Sequence, residues 1–360
     1  MEISIIVSYT NTTVLLENFL AHIVPIVNHF NYELILIQDG EVYDSVEKIV
    51  SNYKKKCRNI NHLRTQCTHL GYSKVNNIAA KKAKGKSLLF INTDVFPEKQ
   101  AINLLYRRLS QSFSTGIVQG LLIYPQNNKV QSAGHLFGEY FNNHALVGAD
   151  VKNSIIQEEK IRQGLTSAFY MIRKADFEML NGFDEYFYNA WDGLDLSLRV
   201  TYELRKECIF YPNSKAYHTQ GGSRESIFRN TSYQDAYFWN RWSKIIKKDF
   251  HLTLADQLTE DEKSQNYTIL NCSSYPLRQW QPFLNKVNSK IKEEYTLERY
   301  CKSEKIVLLE RFPKLLLGAI SPILFLTDRV DDLACNKKTF EEMNLKNSII
   351  CDLHGNITKL

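Results

Sequence analysis

The residues best placed for chemistry are acids at the ends of short apolar runs. Ser87 to Ile91 carries no charge and stops abruptly at Asn92-Thr93-Asp94, after which Pro97 opens a helical pattern. Such a run reads as a buried central strand, and open α/β sheets bind ligands just beyond the carboxyl ends of their strands. Leu34 to Ile37 is a second run of this kind, ending at Gln38-Asp39-Gly40. Asp is common at helix caps and turns, but two acids from separate strands on one edge favour a site over two independent caps. Further along, Asp192 stands at a helix start with Leu196 and Val200 on the buried face, and His218 precedes Gly221-Gly222-Ser223. No Gly-x-Gly-x-x-Gly follows the first strand-like run, where Ser8-Tyr9-Thr10-Asn11 stands, and no Gly-x-x-x-x-Gly-Lys-Ser/Thr occurs. A dinucleotide enzyme and a P-loop enzyme are both disfavoured. Any phosphate at this edge lacks a glycine cradle, so its charge must be met by a cation.

The elements that would position these acids alternate regularly. Ile3 to Ser8 is a candidate first strand, and from Thr13 the residues Leu15, Leu16, Phe19, Leu20, Ile23 and Val27 recur at helical spacing. A helix carrying Val42, Val46, Ile49, Val50 and Tyr53, a strand at Ile60 to Leu63 and a small-residue helix at Ser73 to Ala83 follow. Over residues 1–110 this is the signature of a parallel sheet covered on both faces, with its strand ends along one edge. Residues 120–165 lack a long periodic segment, which in a compact domain marks a functional or mobile stretch. Strand character returns at Thr166 to Ile172 and at Ile209 to Tyr211. After about residue 224 aromatics cluster (Tyr233, Tyr237, Phe238, Trp239, Trp242), then Lys244, Lys247 and Lys248. Residues 252–305 are polar and helix-favouring. Residues 306–327 are apolar but broken by Pro313, Gly318 and Pro322, so they read as packing or as a peripheral membrane-surface contact. The expected division is 1–224 and a mainly helical 225–360.

A chain of 360 residues suffices for two domains and a large core. Its 44% hydrophobic and 23% charged residues are ordinary for a soluble globular protein. The net charge of +6 comes with short basic runs and no aromatic stacking motif beside them, so nucleic acid is not expected as a partner. Seven scattered cysteines with no Cys-x-x-Cys indicate neither a zinc site nor a disulfide framework, and a reducing, cytoplasmic setting fits them. A start directly on a strand leaves no room for a signal peptide, and no run of ~20 apolar residues is present to span a bilayer.

Taken in order, these stretches resemble an inverting glycosyltransferase of family 2 with the GT-A fold. The resemblance covers about the first 225 residues: Ile3 to Thr10, Leu34 to Gly40, His69-Leu70-Gly71-Tyr72-Ser73-Lys74-Val75-Asn76-Asn77 with Ala83-Lys84-Gly85, Asn92-Thr93-Asp94, Gly182-Phe183-Asp184-Glu185, Asp192 to Arg199, and His218 with Gly221-Gly222-Ser223. It implies a doubly wound, mostly parallel sheet with a nucleotide-sugar donor, UDP-sugar favoured, and a glycan or lipid-linked acceptor. It also implies that Tyr9, Thr10, Asp39, Asn77, Asn92 and Asp94 lie at the nucleotide. Asn92 takes the first position of the family's Asp-x-Asp, where it can bond a ribose but is a poorer metal ligand. The family's Glu-Asp pair appears as Asp192-Gly193 when Asp195-Leu196 is held in register, so the second acid, often the base, is missing.

The chemistry follows from the resemblance. Negative charge develops on a departing diphosphate and a divalent cation, Mn²⁺ or Mg²⁺, offsets it. Asp94 is the expected metal ligand, and His218 would complete the set and suit Mn²⁺ better. An acceptor hydroxyl needs a general base. Asp192 is expected in that role, with Trp191 stacking on the acceptor sugar, and Asp195 as the competitor that instead pairs with Arg199 at i,i+4. Two other readings share the sheet: a sugar nucleotidyltransferase, which would want a Gly-rich, Arg-containing loop after the first strand, and a non-catalytic nucleotide- or glycan-binding protein.

Overall fold

The computed structural model describes residues 1–10, 13–27, 31–40, 44–65, 69–219, 232–287, 294–296, 322–336, 340, 345 and 347–360. Gly221-Gly222-Ser223 and residues 306–321 lie outside them. The chain forms two compact units, Met1–His135 with Gly148–Ile246, and Leu136–Val147 with Lys247–Leu360.

The first unit opens with the expected alternation: β1 (Ile3–Tyr9), α1 (Thr13–Val27), β2 (Tyr32–Gln38), α2 (Asp44–Lys56), β3 (Ile60–Arg64), α3 (Tyr72–Lys82) and β4 (Ser87–Ile91). It continues through β5 (Val95–Pro97), α4 (Ala101–Ser110), β6 (Thr115–Ile123) and β7 (Val130–Ser132). A hairpin of β8 (His135–Phe137) and β9 (Asn142–His144) marks the inserted segment of the second unit. The first unit then resumes with β10 (Lys160–Ile161), β11 (Phe169–Arg173), α5 (Lys174–Met179), α6 (Asp192–Tyr202), β12 (Glu207–His218) and α7 (Ser232–Trp242).

Its main sheet runs β10-β12-β6-β11-β4-β1-β2-β3, with β5 beside β12 and β7 beside β6. Strands β3, β2, β1 and β4 are mutually parallel, β11 is antiparallel to both β4 and β6, and β12 is parallel to β6. Every residue of β2 and β4 is buried, as continuous apolar runs require when helices cover both faces. Side chains alternate between the two faces. Ile5, Val7, Leu34, Leu36, Leu89 and Ile91 meet α1 and α4 through Phe19, Ile23, Ile102 and Leu105. Ile6, Ile35, Ile37, Leu88 and Phe90 meet α3, α5 and α6 through Val75, Ala79, Phe177 and Leu196. The order 3-2-1-4 reverses between β1 and β4, so the carboxyl ends of these two strands open a crevice of the kind that binds ligands.

On β3 the His62 side chain is only 4% exposed, and its Nε2 lies 2.6 Å from the Tyr9 hydroxyl, with Glu47, itself paired to Arg64, 3.8 Å from Nδ1. Burial, partly opposed by Glu47, pushes the imidazole down to about 4. The folded state therefore holds His62 neutral while the unfolded chain protonates near 6.5. This site's contribution is complete above that pH and is lost as pH falls toward 4, by up to about 3 kcal/mol. Melting temperature should drop over that window in the wild type, and His62→Gln should flatten the drop; parallel curves would contradict it.

The second unit departs from expectation. Of the residues expected in it, the described 232–246 fall in the first unit: α7 packs on the start of α6, with Phe238 stacked on Trp191 at 4.2 Å between ring centroids and Trp242 Nε1 donating to Asp195. In place of the expected mainly helical region, the described residues of the remainder carry a five-stranded sheet. It contains β13 (Thr268–Asn271), β14 (Glu294–Thr296), β15 (Ile323–Thr327), β16 (Ile349–Asp352) and β17 (Ile357–Lys359) in the order β14-β13-β15-β16-β17. The first four run parallel, and β17 is antiparallel to β16. Short helices α8 (Phe250–Ala255), α9 (Glu260–Ser264) and α10 (Gln281–Leu284) accompany the sheet. β13, β15 and β16, of four or five almost wholly buried residues, leave no alternation in the sequence, so the tail's polar helix-favouring stretches hid them. Among the described residues no helix is long and apolar enough to cross a membrane.

Candidate active site

The crevice is built from the chain turn after β4. Asn92 N donates to Ala168 O at 3.1 Å and Val95 N to Asn92 O at 3.2 Å, closing the turn over Thr93 and Asp94. Asp94 is 3% exposed, and its Oδ1 has no hydrogen-bond partner. A buried, unpaired carboxylate oxygen is costly unless something charged meets it. His218, last residue of β12, brings Nε2 to 3.3 Å from that oxygen. The contact lacks hydrogen-bond geometry, as when two donors are aimed at a third atom rather than at each other. Backbone pairing enforces it: β5 runs antiparallel to β12 with Val95 opposite His218, and Thr219 N donates to Asp94 O at 2.9 Å. On the far side of the imidazole, Gln131 Oε1 lies 2.5 Å from Nδ1.

One oxygen and one nitrogen donor at an orphaned buried carboxylate fit a divalent cation. Among the described residues no group of three or more His, Cys, Asp or Glu is arranged for a metal. Such ions are commonly held by one or two protein groups and completed by substrate phosphates.

The second acid cluster is the first turn of α6. Trp191 takes a left-handed backbone, φ 70°, costly for a bulky residue, and Asp192 begins the helix. Asp192 is 6% exposed and accepts from Ser167 Oγ at 2.5 Å. Tyr72, whose hydroxyl donates to Ser167 O at 3.0 Å, is held above the usual phenol range, by burial first and by the Asp192 carboxylate next. It stays protonated beside that carboxylate. Gly193 is required because a Cβ there would sit 2.7 Å from Ser167 N. The missing second acid thus has a steric cause. Asp195 is fully buried, bound by Arg199 Nε at 2.7 Å, Trp242 Nε1 at 2.9 Å and Arg241 at 3.2 Å. It ties α6 to α7.

The remaining predicted residues divide. Thr10 and Asn92 are half-buried at the ends of β1 and β4, at the crevice. Tyr9 is not a pocket wall: its ring lies in the core beneath α1 and α2, stacked on His62, and only its carbonyl, which accepts from Asp39 N, reaches the strand end. Asp39 stands at the end of β2, but its carboxylate accepts from Leu70 N, Gly71 N and Thr65 Oγ1, so it braces the loop entering α3. Asn77 is committed within the fold: it accepts from Phe183 N and donates to Phe183 O and Glu185, clamping the turn at Gly182. Trp191 has one face on Phe238 and its Nε1 on Asp235 at 2.6 Å. Two residues now at the centre, Gln131 and Ser167, were not singled out from the sequence. Gln131 sits in a three-residue strand too short to show periodicity. Ser167 had only its place in a strand-like stretch.

A strand-end acid opposite a histidine strand, with a second acid on a helix start, within this mostly parallel sheet, is the GT-A architecture of the glycosyltransferases. Residues 4–176 match glycosyl transferase family 2. The O-antigen biosynthesis protein RfbC of Myxococcus xanthus is 28% identical over 251 residues, 66% of this chain; the aligned part is 18% of the relative's length. The GalNAc-T7 structure with UDP, GalNAc and Mn²⁺ superposes with a TM-score of 0.54 at 13% identity, over 81% of this chain and 55% of that one. Mannosyltransferase PcManGT of Pyrobaculum calidifontis, solved with GDP-Man and Mn²⁺, gives 0.47 at 12% identity, over 80% and 69%.

Proposed function

We propose that this glycosyltransferase moves a sugar from a nucleoside diphosphate, UDP first, to a hydroxyl of a glycan or lipid-linked saccharide, inverting the anomeric centre in one displacement. The observation that carries the reading is the orphaned Asp94 Oδ1 beside His218 Nε2. A divalent cation held by these two residues, Mn²⁺ better matched than Mg²⁺ to the imidazole, would lend positive charge to the departing diphosphate. Asp192 takes the proton of the acceptor hydroxyl as its oxygen bonds to the anomeric carbon. The bond from that carbon to the diphosphate oxygen breaks, and its electron pair leaves with the diphosphate. Ser167 fixes the receiving carboxylate, and the buried floor of the crevice limits access of competing water. The fold neighbour solved with UDP and Mn²⁺ supports the donor class, and the relative named for O-antigen biosynthesis supports a surface-polysaccharide acceptor.

A thermal-shift screen of UDP, GDP, CDP and ADP, each with and without Mn²⁺, tests this reading. One diphosphate, UDP first, should raise the melting temperature by several degrees only when Mn²⁺ is present, as linkage predicts for ligand in large excess. A shift without Mn²⁺ dependence would remove the cation, and no shift with any diphosphate would remove the donor.

A further inference from the structure

We infer that Gln131 is a positioning residue for the cation site, fixing the tautomer of His218 so that Nε2 offers a lone pair to the ion; this rests on the cation reading above. Gln131 is 4% exposed and holds His218 twice. Its Nε2 donates to the His218 carbonyl at 3.2 Å and its Oε1 lies 2.5 Å from His218 Nδ1. A carbonyl oxygen only accepts, so the amide nitrogen must face it, which leaves Oε1 for the ring. An amide oxygen also only accepts, so Nδ1 must carry the proton. In the neutral ring the lone pair is then on Nε2, the atom 3.3 Å from Asp94 Oδ1. An Nε2–H tautomer would put a proton where an ion must bind.

The backbone aims this amide. Antiparallel pairing of β6 with β7 sets Leu122 opposite Ser132 and Ile123 opposite Val130, so Gln131 is the extra residue of a β-bulge. Bulges beside active sites re-aim side chains, and ring nitrogens remote from a metal are commonly held by a partner of this kind.

The test measures Mn²⁺ affinity in the presence of UDP, by the free-ion EPR signal, in the full chain. Gln131→Met keeps length and burial but removes the acceptor; it should weaken Mn²⁺ binding about 10–100-fold. Gln131→Glu, which still accepts from Nδ1–H, should restore most of it. Gln131→Met that is folded and binds Mn²⁺ like wild type, while Asp94→Asn does not, overturns the role of Gln131 and leaves the cation reading standing. Wild type that binds no Mn²⁺ with UDP overturns both. Should Gln131→Met fail to fold, ¹⁵N spectra of histidine-labelled, metal-free wild type decide, with His218 identified by its loss in His218→Gln. The neutral ring should show the Nδ1–H tautomer, and the Nε2–H tautomer overturns the inference.

Discussion

Replacing Asp94 with Asn should lower the rate of sugar transfer by about 10³-fold or more, the scale of losing a principal stabiliser of leaving-group charge. Donor hydrolysis and Mn²⁺-dependent UDP binding should fall with it. Stability should move the other way. Asp94 Oδ1 is a buried acceptor with no hydrogen-bond donor, 3.3 Å from a ring nitrogen that, in the tautomer inferred above, offers a lone pair. An amide can donate into that gap, so metal-free Asp94→Asn should melt at or above the wild-type temperature. Sites tuned for chemistry often show this opposition of stability and activity. Kinetics of transfer and a melting curve on the same preparation check it. Undiminished transfer would take the ion away from Asp94, and loss of activity with a collapsed melting temperature would make the residue structural.

Asp192→Asn should reduce turnover by about 10²–10⁴-fold, the range for a lost general base, while leaving Mn²⁺-dependent UDP affinity as it was. Asn preserves the contact with Ser167 Oγ and the helix start, so only proton acceptance is removed. Asp195 should behave in the opposite way. It is fully buried with Arg199, Trp242 and Arg241 around it. Asp195→Ala leaves a guanidinium unpaired in the interior, a loss of about 3–5 kcal/mol readable in denaturant unfolding. Transfer by Asp192→Asn at the wild-type rate, with Asp195→Asn folded and inactive, would exchange their roles.

Much of the sheet was legible because its strands are long apolar runs separated by periodic helices. Ser87–Ile91 has the bounds its composition suggested, and the acid beyond it lies at the crevice. The histidine came only from family resemblance, since Asp94 and His218 are 124 positions apart and meet through the pairing of β5 with β12. In the sequence, strand character stops at Tyr211, before Pro212, Asn213 and Ser214. Those residues form an irregularity in the pairing with β6, after which the strand resumes at Lys215. Gln131 was illegible for a related reason, since a bulge in a three-residue strand leaves no period. Asp39 and Asn77 owe their expected place at the nucleotide to the resemblance and Trp191 its expected stacking to its indole, but their polar atoms hold neighbouring segments. Side-chain type names what a group can do, and only packing reveals which partner reaches it first.

Asp94 and His218, the side chains proposed to hold the ion, spring from adjoining rungs of one backbone ladder, so their separation is set by the fold. Loading should then be a docking event rather than an assembly: arrival of the ion and diphosphate need only shed water, with no slow rearrangement of this corner. Association kinetics should accordingly follow a single concentration-dependent phase, set by how fast the hydrated ion exchanges its solvent.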